Sequence, residues 1–382
     1  MIRANVNTKS QNKNEPDLIL FVTVFLLIGL GLAMIYSSSA VYALKYYHDS
    51  FYFLKRQLLW VILGFAALLI FQELDYRYYL KYTKIILFVS FALLILVLVP
   101  GIGQAAKGST RWLGYGMFKI QPSEFVKIFM VIYLVKVFSA EERENRVIQL
   151  LIPVIIMAIL FILIMMQPDF GTAVDLLIIF VFIMFISGFP FLYLVSLFII
   201  SLPMFYLLIY QVDYRRERLL AFIDPWKDRF GIGYHIIQSF IAFKNGGLLG
   251  TGLGYGTQKI KRLPEPHTDF IFAVIAEEVG LLGTFFILIL YGFIFWRGLL
   301  ISLNAPDEFG KLLAVGLTLL IVGQALINIG VVSGSLPTTG IPLPLISYGG
   351  SSLLSTMIAI GILLNISRHR EKDFGFKGGF WF

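Results

Sequence analysis

Residues 270–296 read FIFAVIAEEVGLLGTFFILILYGFIFW, with Glu277 and Glu278 the only charges. A run of this length is too long for a strand. As a helix rising about 1.5 Å per residue, it can cross roughly 30 Å of hydrocarbon. The pattern recurs along the chain. Candidate spans fall at roughly 18–38, 57–72, 84–100, 122–138, 148–166, 172–186, 190–210, 270–296, 312–332 and 348–366, ten in all. Between the sixth and seventh, Ser187, Gly188, Phe189 and Pro190 predict a tight turn and hence a helical hairpin. Barrel strands are segments of about ten alternating residues, so these continuous runs exclude an outer-membrane barrel.

Composition supports the same class. Of 382 residues, 58% are hydrophobic and 14% charged, whereas a soluble domain carries about 25% charged residues. The expected fold class is all-α, a polytopic membrane protein. With no cysteine and four histidines, the chain offers no disulfide framework, thiolate nucleophile, iron–sulfur site or Cys/His zinc site. In a membrane protein a net charge of +8 reports orientation and lipid contact before nucleic acid, so no nucleic-acid partner is expected. With the N-terminus inside, thirteen Lys and Arg residues lie on the inner side and six in the short outer loops. That bias predicts a cytoplasmic tail over 1–17, one ten-helix membrane domain over 18–366 and a cytoplasmic tail over 367–382. No A-x-A cleavage pattern accompanies the first apolar run, which is expected to be retained.

The long loop at 211–269 then lies outside the cytoplasm. Loops beyond about 15 residues are usually functional or disordered, and this one is rich in Phe, Ile, Leu, Trp and Gly, which favours order. Ile236, Ile237, Phe240, Ile241 and Phe243 recur at helical spacing, predicting a short interfacial helix lying on the membrane. Arg215, Arg216 and Arg218 ahead of Leu219–Ile223 predict another. No repeat between the two halves is visible by eye, a small weight against an inverted-repeat transporter.

Three places put polar groups where hydrocarbon makes them costly, and such groups are functional candidates. The first contains Arg111 and Trp112 in an outer loop, followed by Gln121, Pro122, Ser123, Glu124 and Lys127 at the start of the fourth span. Pro122 and Ser123 mark a helix start. Glu124 and Lys127, three apart, share a helix face and can pair structurally or meet a substrate. The second is Leu263–Phe272, where Asp269 precedes the quoted span. Thr268 or Asp269 can cap that helix, and a partly desolvated carboxylate there also suits a general base. His267 reads as an orienting or lipid-facing group, and Glu277 and Glu278 as structural. The third is Ser333–Ser352, which has four glycines, three prolines and no charge. It predicts a rigid re-entrant or outer loop packed on protein, whose backbone N–H groups around Ser347, Gly349 and Gly350 are available to anions. The glycines of Gly246–Gly256 fit neither a dinucleotide fingerprint nor a phosphate-binding loop with its lysine.

Asp49–Gln57, Gly108–Trp112, Gln121–Lys127, Gln167–Thr172, Asp224–Trp226, Gly233–Ser239, Leu263–Ala273 and Gly334–Ser352, taken in order, resemble the shape, elongation, division and sporulation (SEDS) family of bacterial membrane proteins. The resemblance runs through most of the chain and leans to the division and sporulation branch. Trp226 after Asp224 and Pro225 carries that leaning, although Gly233-Tyr234-His235 looks more like the rod-elongation branch. It implies a ten-helix enzyme of the cytoplasmic membrane that polymerises lipid II, the undecaprenyl-pyrophosphate-linked disaccharide-pentapeptide, into peptidoglycan glycan strands. It would work beside a class B penicillin-binding transpeptidase and other division or elongation proteins.

By motif, Asp269 matches the family's essential acidic residue, and Arg111, Trp112, Glu124 and Lys127 match central-cavity positions. Expected substrate contacts extend to Arg215, Arg218, His267, Ser347, Gly349 and Gly350, with a divalent cation, Mg or Mn, as a candidate aid to the leaving pyrophosphate. Asp175, inside the sixth span, falls outside the family pattern. The rival readings are a lipid II flippase, whose charges should lie near the midplane, and a scaffold for the transpeptidase.

Overall fold

The computed structural model describes residues 15–106, 109–116, 118–139, 146–261, 263 and 265–370. Most of the expected tails 1–17 and 367–382, together with Lys107, Gly108, Arg143 and Pro264, lie outside the described residues. The helices are α1 (Leu18–Tyr47), α2 (Tyr52–Glu73), α3 (Arg77–Leu98), α4 (Pro122–Phe138), α5 (Arg146–Met165), α6 (Phe170–Ile186), α7 (Phe191–Tyr210), α8 (Asp213–Ile223), α9 (Tyr234–Gly246), α10 (Gln258–Lys261), α11 (Ile271–Leu303), α12 (Glu308–Val332) and α13 (Gly350–Arg368). By length and composition, α1, α2, α3, α7, α11, α12 and α13 can each cross a membrane, and α5 and α6 contain shorter apolar helices. This is the multi-pass helical architecture expected from the apolar runs.

Several helices extend beyond their apolar runs. α1 continues to Tyr47, where His48 adopts a left-handed conformation (φ 56°) and its N–H bonds back to Leu44 O. The i→i−4 ladder carries a helix past the hydrocarbon until a cap or breaker ends it, and the Tyr and Lys residues at these ends suit the interface. Ser187–Pro190 does form the expected break between α6 and α7, with Gly188 at φ 76°. Inside the long loop, α8 and α9 fall on the two predicted helical segments. The apolar stripe of α9 faces protein, which corrects the interfacial assignment. Ile236, Ile237 and Ala242 are buried, and α9 packs on α11, with Phe243 edge-on to Phe272. The N-terminal half of α11 supplies an apolar surface that replaces lipid there.

A small antiparallel sheet follows α3, with β1 (Gln104–Ala106), β2 (Ser109–Tyr115) and β3 (Phe118–Ile120) in spatial order β1-β2-β3. Strands this short leave no readable alternation in the sequence, and the sheet was not anticipated. Its register pairs Gln104 with Trp112 and Leu113 with Ile120. The sheet thereby fixes the arm that carries Arg111 and Trp112.

α4, α12 and α13 are buried over most of their circumference and form the centre of the bundle. Close approaches rely on missing side chains. A Cβ at Gly31 would lie 2.8 Å from Ile346 Cα and Leu345 O, and one at Gly350 would enter the Trp60 indole. At the opposite end from Asp269, Asp17 caps α1 through Leu20 N (2.9 Å), accepts from Arg297 Nε (2.9 and 3.1 Å) and donates its own N–H to Ser367 Oγ (3.1 Å). Asp307 caps α12 and accepts the Tyr76 hydroxyl. Burial, reinforced by that carboxylate, raises the Tyr76 phenol far above its usual range, so it remains a donor.

Overpacking a tight crossing costs about 1–3 kcal/mol. Gly31→Val should therefore lower the melting temperature by several degrees in detergent. Gly29→Val, where no atom lies within 4 Å, should leave it nearly unchanged; thermal unfolding of both variants checks this.

Candidate active site

The three polar segments meet at one end of the bundle: the starts of α4, α6, α11 and α13, the end of α12, and β2. α4 begins at Pro122 with Gln121 at its cap position, as the Pro-Ser signal predicts. One turn in, Lys127 Nζ lies 3.1 Å from Glu124 Oε1 and 3.4 Å from Asp175 Oδ2, all three side chains being buried. Gln324 of α12 donates to the same Asp175 oxygen at 3.0 Å. Two carboxylates and one ammonium thus form a closed cluster joining α4, α6 and α12. Asp175 belongs to it, and the signal was its charge inside an apolar span, since such a charge requires a partner.

Asp169 caps α6 by accepting from Thr172 N (3.3 Å). Its carboxylate lies 3.5 Å from Arg111 Nη1 and accepts from Gln121 Nε2 at 2.9 Å. Arg111 also donates to Gln167 O (3.1 Å) and to Pro168 O. The sheet arm is therefore clamped onto the turn between α5 and α6, with the Arg111 side chain still 31% exposed. On α8, the Arg215 guanidinium stacks 5.4 Å from the Phe170 ring, and Arg218 donates to Thr338 O (3.4 Å). Arg216 pairs with exposed Asp213 instead.

Asp269 sits just before α11, partly exposed. The cap position falls at Phe270 and not at Thr268 or Asp269, and the Phe270 side chain makes no cap bond. Asn328 Nδ2 donates to Asp269 O and to Ile341 O, each at 2.8 Å. Ser347 Oγ donates to Thr268 O (2.8 Å) and accepts from Leu343 N (2.9 Å), and Tyr348 N donates to His267 O (2.9 Å). Gly340, at φ 80°, is close enough that a Cβ there would lie 3.5 Å from Asp269 Oδ2. Its neighbour Thr339 presents a carbonyl against Gly171 of α6. The loop 333–349 is thus packed on protein, as expected, and links Asp269 to the start of α6.

The other candidates have structural partners. His267 is buried among Phe53, Tyr348 and Tyr42, with ring centroids at 4.2, 5.5 and 6.2 Å, so it does not face lipid. Burial raises the Tyr348 phenol, with Arg56 pulling it the other way. Gly349 N donates to Gln57 Oε1 (3.3 Å), Gly350 opens α13 against Trp60, and Trp112 is half-buried in β2. Glu277 accepts from Asn245 Nδ2, Thr257 and Gln258 N, while Glu278 accepts from Ser37 Oγ (2.6 Å) and pairs with Lys259 (2.5 Å). Among the described residues no group of three or more His, Asp or Glu side chains is placed to hold a metal ion. Asn328, Asp169 and Gln324 were missed in the sequence because single polar residues in helices usually read as caps or tolerated exceptions.

Fold and site together define a polytopic membrane protein with a partly exposed carboxylate beside a loop reached by the Arg218 guanidinium. Residues 17–372 match the FtsW/RodA/SpoVE family, described as cell cycle proteins, and the chain belongs to that family. It is 43% identical over 369 residues to a protein named probable peptidoglycan glycosyltransferase FtsW of Geobacter metallireducens, covering 95% of this chain and 98% of that one. Identity to stage V sporulation protein E of Bacillus subtilis is also 43%, over 359 residues, covering 94% and 98%. A solved structure described as structural coordination of polymerization and crosslinking by a peptidoglycan synthase complex superposes with TM-score 0.77 at 29% identity, covering 94% and 99%. The rod shape determining protein RodA of Thermus thermophilus does so with TM-score 0.70 at 27% identity, covering 94% and 98%.

Removing one partner from a buried ionic cluster costs about 3–5 kcal/mol. Lys127→Met should therefore lower the melting temperature markedly. Adding Asp175→Asn, which removes one stranded carboxylate, should recover part of the loss; a double-mutant cycle by thermal unfolding measures it.

Proposed function

We propose that this protein is a peptidoglycan glycosyltransferase that joins lipid II units into glycan strands at the outer face of the cytoplasmic membrane. The observation that carries the reading is the clamped, partly exposed Asp269 beside a loop reached by Arg218. Its relatives named as peptidoglycan glycosyltransferases support the activity. Asp269 takes the proton from the acceptor sugar hydroxyl as that oxygen attacks the anomeric carbon of the donor. The carbon–oxygen bond to the lipid pyrophosphate breaks, and the configuration at that carbon inverts. The departing pyrophosphate gains negative charge, which the guanidinium groups of Arg111, Arg215 and Arg218 stabilise. Lys127, already committed to Glu124 and Asp175, holds the cluster in shape. A divalent cation, Mg or Mn, would aid the departing pyrophosphate through one or two carboxylates and the substrate's own phosphates, a mode that needs no three-ligand protein group.

In this reading residues 18–366 form one ten-helix membrane unit with both tails in the cytoplasm, and the loop 211–269 lies on the side of the lipid-linked sugars. A class B penicillin-binding transpeptidase is the proposed partner, consistent with the synthase complex whose fold this chain shares. Identities of 43% to a protein named FtsW and to stage V sporulation protein E favour septal or spore-cortex synthesis. Clustering of the charges at one end of the bundle favours chemistry there over passage through the midplane.

With lipid II and the partner transpeptidase, the parent should make glycan polymer. Asp269→Asn should lower the rate about 10²–10⁴-fold, as expected on losing a general base. Polymer at the parental rate from a folded, partner-bound variant would remove Asp269 from this role. Arg218→Ala should slow polymerisation at least about tenfold, whereas Arg216→Ala, whose partner is the exposed Asp213, should stay close to the parent.

A further inference from the structure

The glycine-rich stretch Gly246–Gly256, GGLLGTGLGYG, plays no part in the chemistry above and carries no charge across its eleven residues. It wraps around a break in α11 at Gly280, where φ 73° and ψ −168° interrupt the helix. There the backbone bonds are exchanged: Thr251 N donates to Glu277 O (2.9 Å) and Gly252 N to Glu278 O (3.0 Å), while Leu281 N and Leu282 N donate to Gly247 O (3.0 Å) and Leu248 O (3.3 Å). Gly254 N adds a bond to the Glu278 carboxylate (3.1 Å). Glycine is needed because a Cβ at Gly246 would enter Ala276 O and one at Gly250 would enter Glu278 O. Much of the loop's polar backbone is thereby satisfied by α11, which lets an irregular segment sit at a membrane boundary.

The side chains point outward. Leu248, Leu249, Leu253 and Tyr255 are 67%, 78%, 64% and 78% exposed, a concentration of apolar surface that water does not favour. From the break onward, Leu281–Leu303 would be about 34 Å long as a helix, close to one hydrocarbon thickness. Gly280 therefore falls at the membrane boundary on the Asp269 side. The loop's leucines continue the exposed face of α11 at Leu281, Leu282 and Phe285. Between loop and helix runs a groove of about 310 Å³, lined by Phe243, Leu248, Ala276, Leu281 and Thr284.

We infer that this loop is a membrane-docking element that inserts Leu248, Leu249 and Leu253 among the acyl chains of the leaflet on the Asp269 side, with an acyl segment filling the groove. Through the bonds to Glu277 and Glu278, the docked loop sets the height of the segment that carries Asp269 relative to the bilayer. This inference stands independently of the transferase reading.

The chain has no cysteine, so single-cysteine spin labels can be placed on the full-length protein in phospholipid vesicles at low protein density. Labels at Leu249→Cys and Leu253→Cys are compared with Phe285→Cys on the exposed face of α11 and Lys227→Cys on the exposed loop surface. Docking predicts a ratio of oxygen to water-soluble nickel-chelate accessibility at 249 and 253 that is several-fold above the Lys227 site and close to the Phe285 site. A ratio like that of Lys227 would overturn it by placing the loop in water. Exclusion of both reagents would also overturn it, because protein, a second copy included, would then cover the loop.

Discussion

One side-chain amide fixes the geometry on which the site depends. Asn328, buried near the end of α12, donates at 2.8 Å to the carbonyls of Asp269 and Ile341. Both carbonyls belong to irregular backbone, one just ahead of α11 and the other inside the glycine- and proline-rich loop 333–349. Buried backbone carbonyls without helical partners are costly, and one amide satisfies two of them while holding two segments in register. Ser347 and Tyr348 complete the clamp from the loop side. The position of the Asp269 carboxylate thus depends on α12 and on a segment more than seventy residues later in the chain.

The same economy governs the charges. Lys127 lies between Glu124 and Asp175, Arg111 is fixed over the turn at Gln167–Asp169, and Lys259 answers Glu278. These groups join two or three elements at a time, so they specify how α4, α6 and α12, or α1, α10 and α11, sit against one another. Glu277 and Glu278 illustrate the point. Their side chains, carbonyls and the following glycine break turn the N-terminal end of α11 into a frame for the loop before it.

Much of this was legible in the residues. Long apolar runs announced the helices, Ser187–Pro190 announced a hairpin, and Pro122 announced the start of α4. Glu124, Lys127, Asp269 and the loop 333–349 stood out because charge, or dense glycine and proline, is unusual beside hydrocarbon. Helix ends were less legible because hydrogen-bond ladders outlast the apolar pattern, and the sheet at 104–120 was hidden by strands too short to alternate visibly. The face of α9 was misjudged because an amphipathic stripe looks the same whether lipid or another helix covers it. Asp175 and Asn328 needed three dimensions, since their partners are 48 and 59 positions away at Lys127 and Asp269.

If the amide clamp positions Asp269 for reaction, its loss in Asn328→Ala must show in the steady-state kinetics of lipid II polymerisation. With the variant shown to be folded and bound to the proposed transpeptidase partner, kcat should fall at least about tenfold below the parent with KM little changed. A parental kcat from that folded protein would contradict it.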